Sequence, residues 1–510
     1  MHLQVDLLEQ DTLEVLGLVR SMRNNFAPIN RIPAAVLSLI PDHWGNHYMD
    51  ADADLVALTH VCRGWRKLFT SRPSLWTRLD FVNVDKTRTY IKRSGSLPLE
   101  ATIRKTEVQS YVEGAILLVI PHIERFKSLT IGGTLDHLQN VTRHLNLPAF
   151  SLRELTIYFD CNSAPILDNV FPNGNSSSLR TLILGGVITN LPWRNLSNLT
   201  KFKLRCAPGN RITVMRLLNF LESAPQLKDI TLHKSIPTSS NVSPSRVVPL
   251  PHLKNLTIGG SSGYGILLNH LSIPEGASLA LSLHFIGDAS PLPDCLPKSS
   301  KNLKNISHVS TVNLCFDGST KFVRLVGPGG GLSILGYWDG DEVEASCLPD
   351  LNRRTLRSLN YFSLHPTRSL VITGYEAVIP TDIQETSLYR VVLSRMGDLR
   401  TLTLIRCSNL AFVFSLNPNH NPLKITICPN LEELILYVKT RNGFQIPELM
   451  RMAKERASRG AKLRSITIVG LGDLLPGKEV FKLREHVTHV EYRVGENAPK
   501  WDSVPDDKSG

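Results

Sequence analysis

One short phrase, LxxLxL, recurs from about residue 124 almost to the end of the chain, and it constrains the fold more than anything else in the sequence. Clear copies are FKSLTI (Phe126, Leu129, Ile131), LRELTI (Leu152, Leu155, Ile157), LRTLIL (Leu179, Leu182, Leu184), LTKFKL (Leu199, Phe202, Leu204), LKDITL (Leu227, Ile230, Leu232) and LKNLTI (Leu253, Leu256, Ile258). VSTVNL (Val309, Val312, Leu314) is a diluted copy. LRTLTL (Leu399, Leu402, Leu404), LEELIL (Leu431, Leu434, Leu436) and LRSITI (Leu463, Ile466, Ile468) follow, with HVTHVEY as a frayed last one. In each copy the last two apolar residues alternate along a short strand and point the same way, while the first packs from the approaching turn. A single copy leaves that apolar side open to water. Stacking the copies buries the rows as one core and aligns the strands as a parallel sheet, with segments such as MRLLNFLESAPQ and PELMRMAKERAS on the outside.

The middle apolar positions of neighbouring copies from Leu129 to Leu256 lie 20 to 28 residues apart, and Leu402, Leu434 and Ile466 lie 32 apart. These periods resemble those of leucine-rich repeats, stretched in the late copies. The resemblance implies an irregular solenoid over 124–495 with a parallel sheet on its inner face, whose outward-facing side chains hold a target protein. Early in the sheet those side chains include Tyr158 and Lys203. Late in it Ile405, Ile435, Tyr437 and Val469 are expected to line up on neighbouring strands as an exposed apolar row, and such rows mark protein-binding surfaces. Between Pro291 and Ser369 the phrase is diluted: PLPDCLPKSS reads as loop, and FVRLVGPGGGLSILGYW reads as two strands joined by a glycine turn.

Ahead of the repeats, residues 29–81 have a different pattern. Pro33 suits a first helical residue because its fixed φ fits there and its missing N–H would have no partner. Val36, Leu37 and Ile40 then share a face. Asp54 offers an oxygen to the free N–H groups of a second helix carrying Leu55, Leu58, Val61, Cys62 and Trp65, and Pro73 opens a last turn with Leu75 and Trp76. This order resembles the F-box: Ile32-Pro33 opening helix one, Val61-Cys62-Arg63 and Trp65 in helix two, Leu75-Trp76 closing. It departs from that pattern at Ala35, where a Glu is usual, and in the long PDHWGNHYMDAD segment. With NNFAPINRIP upstream and TYIKRSGSLPLEATI downstream, the chain is similar to the F-box-like proteins of mushroom-forming fungi.

The resemblance implies a small three-helix module that docks a Skp-type adaptor, and through it a cullin scaffold. Ile32, Pro33, Val36, Leu37, Ile40 and Leu55 would contact the adaptor, while Leu58, Val61, Cys62, Trp65, Leu75 and Trp76 form the core. The expected fold class is thus α/β: a three-helix module at 29–81, a connecting segment at 82–123, then the repeats. Residues 1–28 read as a helical extension in which Leu7, Leu8, Val15, Leu18, Val19 and Met22 pack on the module. The tail, 496–510, is polar and proline-containing and reads as disordered.

A hydrophobic share of 42% with 20% charged residues is an ordinary globular balance, so the chain can bury large cores. No stretch approaches the apolar length of a membrane span, and the acid-containing N-terminus is unlike a signal peptide, so a cytoplasmic or nuclear location is expected. The cysteines are scattered without CxxC, which indicates neither a disulfide framework nor a zinc site. A net charge of +12 raises the question of nucleic acid, but the charge is spread out, and the clusters 86–105 and 451–464 read as solvated faces.

The run at 327–331 precedes a strand pattern and not a helix, so a hairpin turn is expected in place of a nucleotide loop. His486 and His489 lack a third ligand, and no GxSxG elbow occurs. Neither a catalytic residue, a metal site nor a cofactor site is expected. The reading is a non-catalytic substrate-recognition subunit of an SCF-type ubiquitin ligase. An adaptor-independent repeat scaffold or sequestering protein is the first alternative, and a basic nucleic-acid-associated solenoid the second.

Overall fold

The computed structural model describes residues 2–43, 51–81, 83–103, 114, 116–133, 151–159, 166–167, 178–186, 188–189, 196–205, 212–233, 242–243, 245–260, 264–285, 296–297, 300–317, 320–327, 329–338, 359, 362–374, 383–405, 409–438, 446–470 and 477–494. The chain divides into two units, Met1–Ile183 with Asn190–Pro192, and Leu184–Thr189 with Trp193–Gly510. The tail 496–510 lies outside the described residues.

The first unit opens with the helix His2–Asn25, a turn at Pro28–Arg31 and the short helix Ala34–Leu37, for which Pro33 is the N-cap. The next helix, Ala51–Val61, starts ahead of Asp54, whose side chain is outside the described residues. The expected single second helix is broken. Cys62 adopts extended backbone at φ −158° and ψ 171°, its Sγ accepts the Trp65 N–H at 3.5 Å, and a new helix runs from Arg63 to Thr70. The break turns the two helices relative to the expected stripe: Val61, expected in the core, is 52% exposed.

What packs is Leu37, Trp65 and Phe69, joined by half-buried Ile40, Leu58, Cys62, Leu68 and Leu75. Trp65 meets Phe69 edge to face at 5.7 Å, and its indole N–H donates to Asn30 Oδ1 at 2.6 Å. Trp76, in the turn Pro73–Trp76, is fully buried, but against the following segment: its ring lies edge-on to Tyr90 at 4.9 Å and beneath the Arg93 guanidinium at 4.3 Å. Tyr90 and Arg93 belong to the helix Val84–Ser94, capped by the Asn83 side chain.

Within 82–123, expected only to connect, the strand Leu99–Ile103 already belongs to the parallel sheet. It pairs with Arg78–Leu79 on one side and Phe126–Gly133 on the other, and Glu154–Phe159 follows. Leu99, Ala101 and Ile103 face the core, so the strand has the repeat's inward alternation without its leading leucine.

In the second unit the strands Lys201–Arg205, Asp229–His233, Asn255–Gly260 and Ser278–Phe285 pair in parallel, in chain order. Ser369–Gly374, Thr401–Ile405, Glu433–Val438, Ser465–Gly470 and His489–Val494 form a second parallel run. Between the runs lies a three-stranded meander inserted in reverse. Gly331–Trp338 lies parallel to Ser278–Phe285, Thr320–Val326 runs antiparallel in the middle, and Thr311–Asp317 lies parallel to Ser369–Gly374. The glycine run is the hairpin turn between its last two strands. A Cβ on Gly330 would sit 2.2 Å from the Ala277 carbonyl oxygen, and one on Gly331 2.3 Å from that of Leu325, so only glycine lets these backbones approach.

Connecting helices cover the apolar face of the sheet. In Val214–Ser223, capped by the Thr213 hydroxyl, Val214, Leu217, Leu218 and Leu221 are buried. In Ile446–Ser458, Leu449, Met452 and Ala453 are. The chain is therefore a mixed α/β protein built on repeated strand units in a largely parallel sheet.

Candidate protein-binding surfaces

The first surface is the edge of the helical module. Ile29, Ile32, Val36 and Leu39 are exposed at 38–52%, around Pro33. Extended backbone at Ile32 and Pro33 separates the turn from the short helix, so these aliphatic side chains are close along the chain and each is open to solvent. Of the residues expected to dock an adaptor, Ile32, Pro33 and Val36 are thus free to do so and Ile40 is half-buried. Leu37 and Leu55, each 5% exposed, are not. Leu37 faces inward, against Trp65 and Phe69, because periodicity within a helix of one turn does not fix which face is covered. Ile29 and Leu39 belong to the exposed set and lacked a motif to mark them.

The second surface is the sheet face opposite the core. In the late strands Thr403, Ile435, Thr467 and Glu491 form one cross-strand row, and Thr373, Ile405, Tyr437, Val469 and Arg493 the next. The four residues expected to make a single apolar row therefore occupy two. Ile405, 2% exposed at its strand's end, is covered by the chain itself and cannot present its side chain to a partner. Ile435, Tyr437 and Val469 are half-buried and adjoin one another.

Charged pairs flank them. Glu433 takes the Arg464 guanidinium on one side, and on the other Arg493 donates to Glu491 at 2.6 and 2.8 Å, which holds that carboxyl below its ordinary range. In the early strands of each unit, the face opposite that unit's core carries rings laid over glycines. Tyr158 lies across Gly132, where a Cβ would come within 2.3 Å of its ring, and His233 lies across Gly259 in the same way. Lys203, on the adjoining row, is half-buried opposite Thr231.

A third feature is a line of cations. The second position of the phrase is basic in most copies, and in the folded chain it forms a ladder at the N-terminal edge of the strands. Arg153 N–H donates to the Lys127 carbonyl and Arg180 N–H to that of Arg153 in the first unit. In the second, Lys254 donates to Lys228, Arg400 to Arg368 and Arg464 to Glu432, all at 2.8 Å. Adjacent strands stand about 4.8 Å apart, so like charges stack at that spacing. Carboxylates relieve some of them, as in Lys127–Glu100 at 3.6 Å and Arg400–Glu432 at 3.5 Å. In the sequence these cations recur once per phrase, far apart along the chain, and so form no linear cluster.

The fourth feature is a braced loop over Asn417–Cys428. Arg456 is fully buried, donating Nη1 to Ile427 O at 2.7 Å and Nη2 to Cys428 O at 2.8 Å. Burial lowers its pKa to about 10 and pushes the Cys428 thiol up to about 12. Lys424 and Cys428 adopt positive φ, 51° and 48°, and Asn421 bonds to both Leu423 N–H and Ile425 O. The tip carries Leu423, 75% exposed, and Ile425, 56% exposed.

Among the described residues no group of His, Cys, Asp or Glu is placed to hold a metal ion, and no helix is long and apolar enough to cross a membrane. His489 is exposed and His486 half-buried. No family model and no curated protein matches the sequence. Among solved structures, the chain is similar to one in the crystal structure of a TLR13–ssRNA13 complex, with a TM-score of 0.28 and 13% identity over 79% of this chain and 54% of that one. The chain spans about half the length of that structure, and so distant a likeness carries no functional implication.

Proposed function

We propose that the chain is the non-catalytic substrate-recognition subunit of an SCF-type ubiquitin ligase. Its helical module docks a Skp-type adaptor, which joins it to a cullin scaffold, and the repeat sheet holds the target protein. The observation that supports this most is the apolar edge Ile29, Ile32, Val36 and Leu39, left exposed around Pro33 on a module whose own core is already filled by Leu37, Trp65 and Phe69. Small apolar anchors at the centre of an interface carry most of its energy, so this edge suits a partner better than water. Ile32→Glu with Val36→Glu should abolish co-purification of the adaptor with tagged full-length chain while leaving the sheet folded. Wild-type adaptor yield from the double variant would refute the docking assignment, and an intact chain that never captures adaptor would leave the repeat-scaffold reading.

The cation ladder favours a second reading, association with a nucleic acid. Phosphate binding by such a row would show as retention on immobilised RNA or DNA that falls steeply with salt. Lys228→Ala with Lys254→Ala should reduce the salt slope; retention insensitive to salt would exclude this reading.

A further inference from the structure

The helix His2–Asn25 is inverted relative to its surroundings. The face it turns toward the rest of the chain is small and polar: Gly17, Ser21 and Asn24, at intervals of four and three, are its partly covered residues among those described. Gly17 lies against Arg63, where an added Cβ would stand 2.7 Å from Nη2, and the Asn30 amide donates to Asn24 O at 2.7 Å. The opposite face is apolar and open. Val5, Leu8, Val15, Val19 and Met22, continued by Phe26, are 55–71% exposed. The expected packing of this apolar stripe on the module does not occur.

Those residues fall on a heptad. With Thr12 they read 5, 8, 12, 15, 19, 22, 26, alternating three and four, so Val5, Thr12, Val19 and Phe26 take position a, and Leu8, Val15 and Met22 take d. Gly17 and Asn24 then occupy f, the position farthest from such a seam, which is the face the module covers. We propose that this helix pairs with the same helix of a second copy as a parallel two-stranded coiled coil, making the chain a homodimer.

β-branched residues at a, here Val5, Thr12 and Val19, favour two parallel strands. Leu16 and Leu18, at e and g, flank the seam and add to the area it would bury. In the parallel pair, Asp11 faces Leu16 and Leu18 faces Arg23 of the other copy, so no like charges meet there. A lipid surface fits less well: interfacial helices are rich in Lys and Arg, whereas this one carries Asp6, Glu9, Asp11 and Glu14 against Arg20 and Arg23. At 24 residues the helix spans about 36 Å, close to the shortest length that sustains a heptad pairing. The dimer should therefore be concentration-dependent. The inference does not rest on the adaptor reading, but in a recognition subunit it would bring two target-holding sheets together and raise avidity for a target with repeated sites.

The test is sedimentation equilibrium of the full-length chain across the micromolar range. The wild-type chain should fit a monomer–dimer equilibrium, and Leu8→Glu with Val19→Glu should raise its dissociation constant by more than about a hundredfold, because each seam carboxylate would lose hydration without a partner. Leu13→Glu, equally exposed at 61% but at position b, should leave it unchanged. Circular dichroism verifies that each variant remains folded. A wild-type chain that stays monomeric throughout, a higher oligomer, or equal sensitivity to Leu13→Glu would each overturn the proposal. If the monomeric chain floats with phosphatidylcholine vesicles, the seam belongs to a lipid surface instead.

Discussion

Replacing Trp65 tests whether the module is held together as described. The indole contributes through three contacts: burial to 6% exposure beside Leu37, the edge-to-face meeting with Phe69 at 5.7 Å, and the N–H bond to Asn30 at 2.6 Å. Truncating a buried Trp to Ala costs about 3–5 kcal/mol. The hydrogen bond alone accounts for about 0.5–1.5 kcal/mol, and Asn30 is half-exposed, so water can replace its lost donor. A core of this size rarely supplies more than about 3–5 kcal/mol, so Trp65→Ala should leave the module largely open.

Hydrogen exchange on the full-length chain reads this locally. At about 1.4 kcal/mol per decade, protection of the helix Arg63–Thr70 should fall by roughly two to three and a half decades. The strand Glu433–Val438 should be unaffected. Trp65→Phe keeps the ring contact and should cost about 1–2 kcal/mol, and combined with Asn30→Ala it should show coupling of about 1 kcal/mol, since both remove one bond. Unchanged protection of Arg63–Thr70 in Trp65→Ala would refute the packing argument, and an equal loss in Glu433–Val438 would refute its local character.

Arg456→Met should destabilise the second unit by about 1–3 kcal/mol in urea denaturation, because Ile427 O and Cys428 O lose their buried donors; no loss would mean that the loop is held otherwise. Cys428, with its pKa raised from 9.0 to about 12, should resist alkylation in the native chain and react only on unfolding. Between pH 9 and about 12 the unfolded thiol ionises while the folded one does not, so this residue makes stability fall as pH rises. Arg456, lowered by burial to about 10, acts in the opposite sense above pH 10; Cys428→Ala should flatten the fall over pH 9–10, as measured by denaturation at stepped pH. Ile435→Lys with Tyr437→Lys should abolish target capture in a pull-down without changing adaptor yield, and an unchanged set of captured proteins would place recognition elsewhere.

Much of the sheet was legible because LxxLxL states both a period and a facing: Leu129 and Ile131, Leu402 and Leu404, Ile466 and Ile468 all turn inward in parallel, paired strands. The hairpin through Gly327–Gly331 was legible from its glycines. The reversed order of the three inserted strands was not, since Thr311–Asp317 and Gly331–Trp338 each carry an ordinary strand pattern and pairing partners are chosen across the chain. In the helical module, helical spacing marked Trp65 as core, but the break at Cys62 turned Val61 outward, and Leu37 was drawn in by Trp65 and Phe69.

The sequence by itself determined the repeated strand unit, its inward face and the glycine turn ahead of Gly331–Trp338, because these depend on turn chemistry and on alternation along a few residues. Only the tertiary structure decided which exposed-looking residues are in fact covered. Ile405, Leu37 and Leu55 lie beneath other parts of the chain, while Val61 and the apolar face of the first helix do not. Burial depends on what packs from elsewhere in the sequence, and periodicity within one segment carries no record of that.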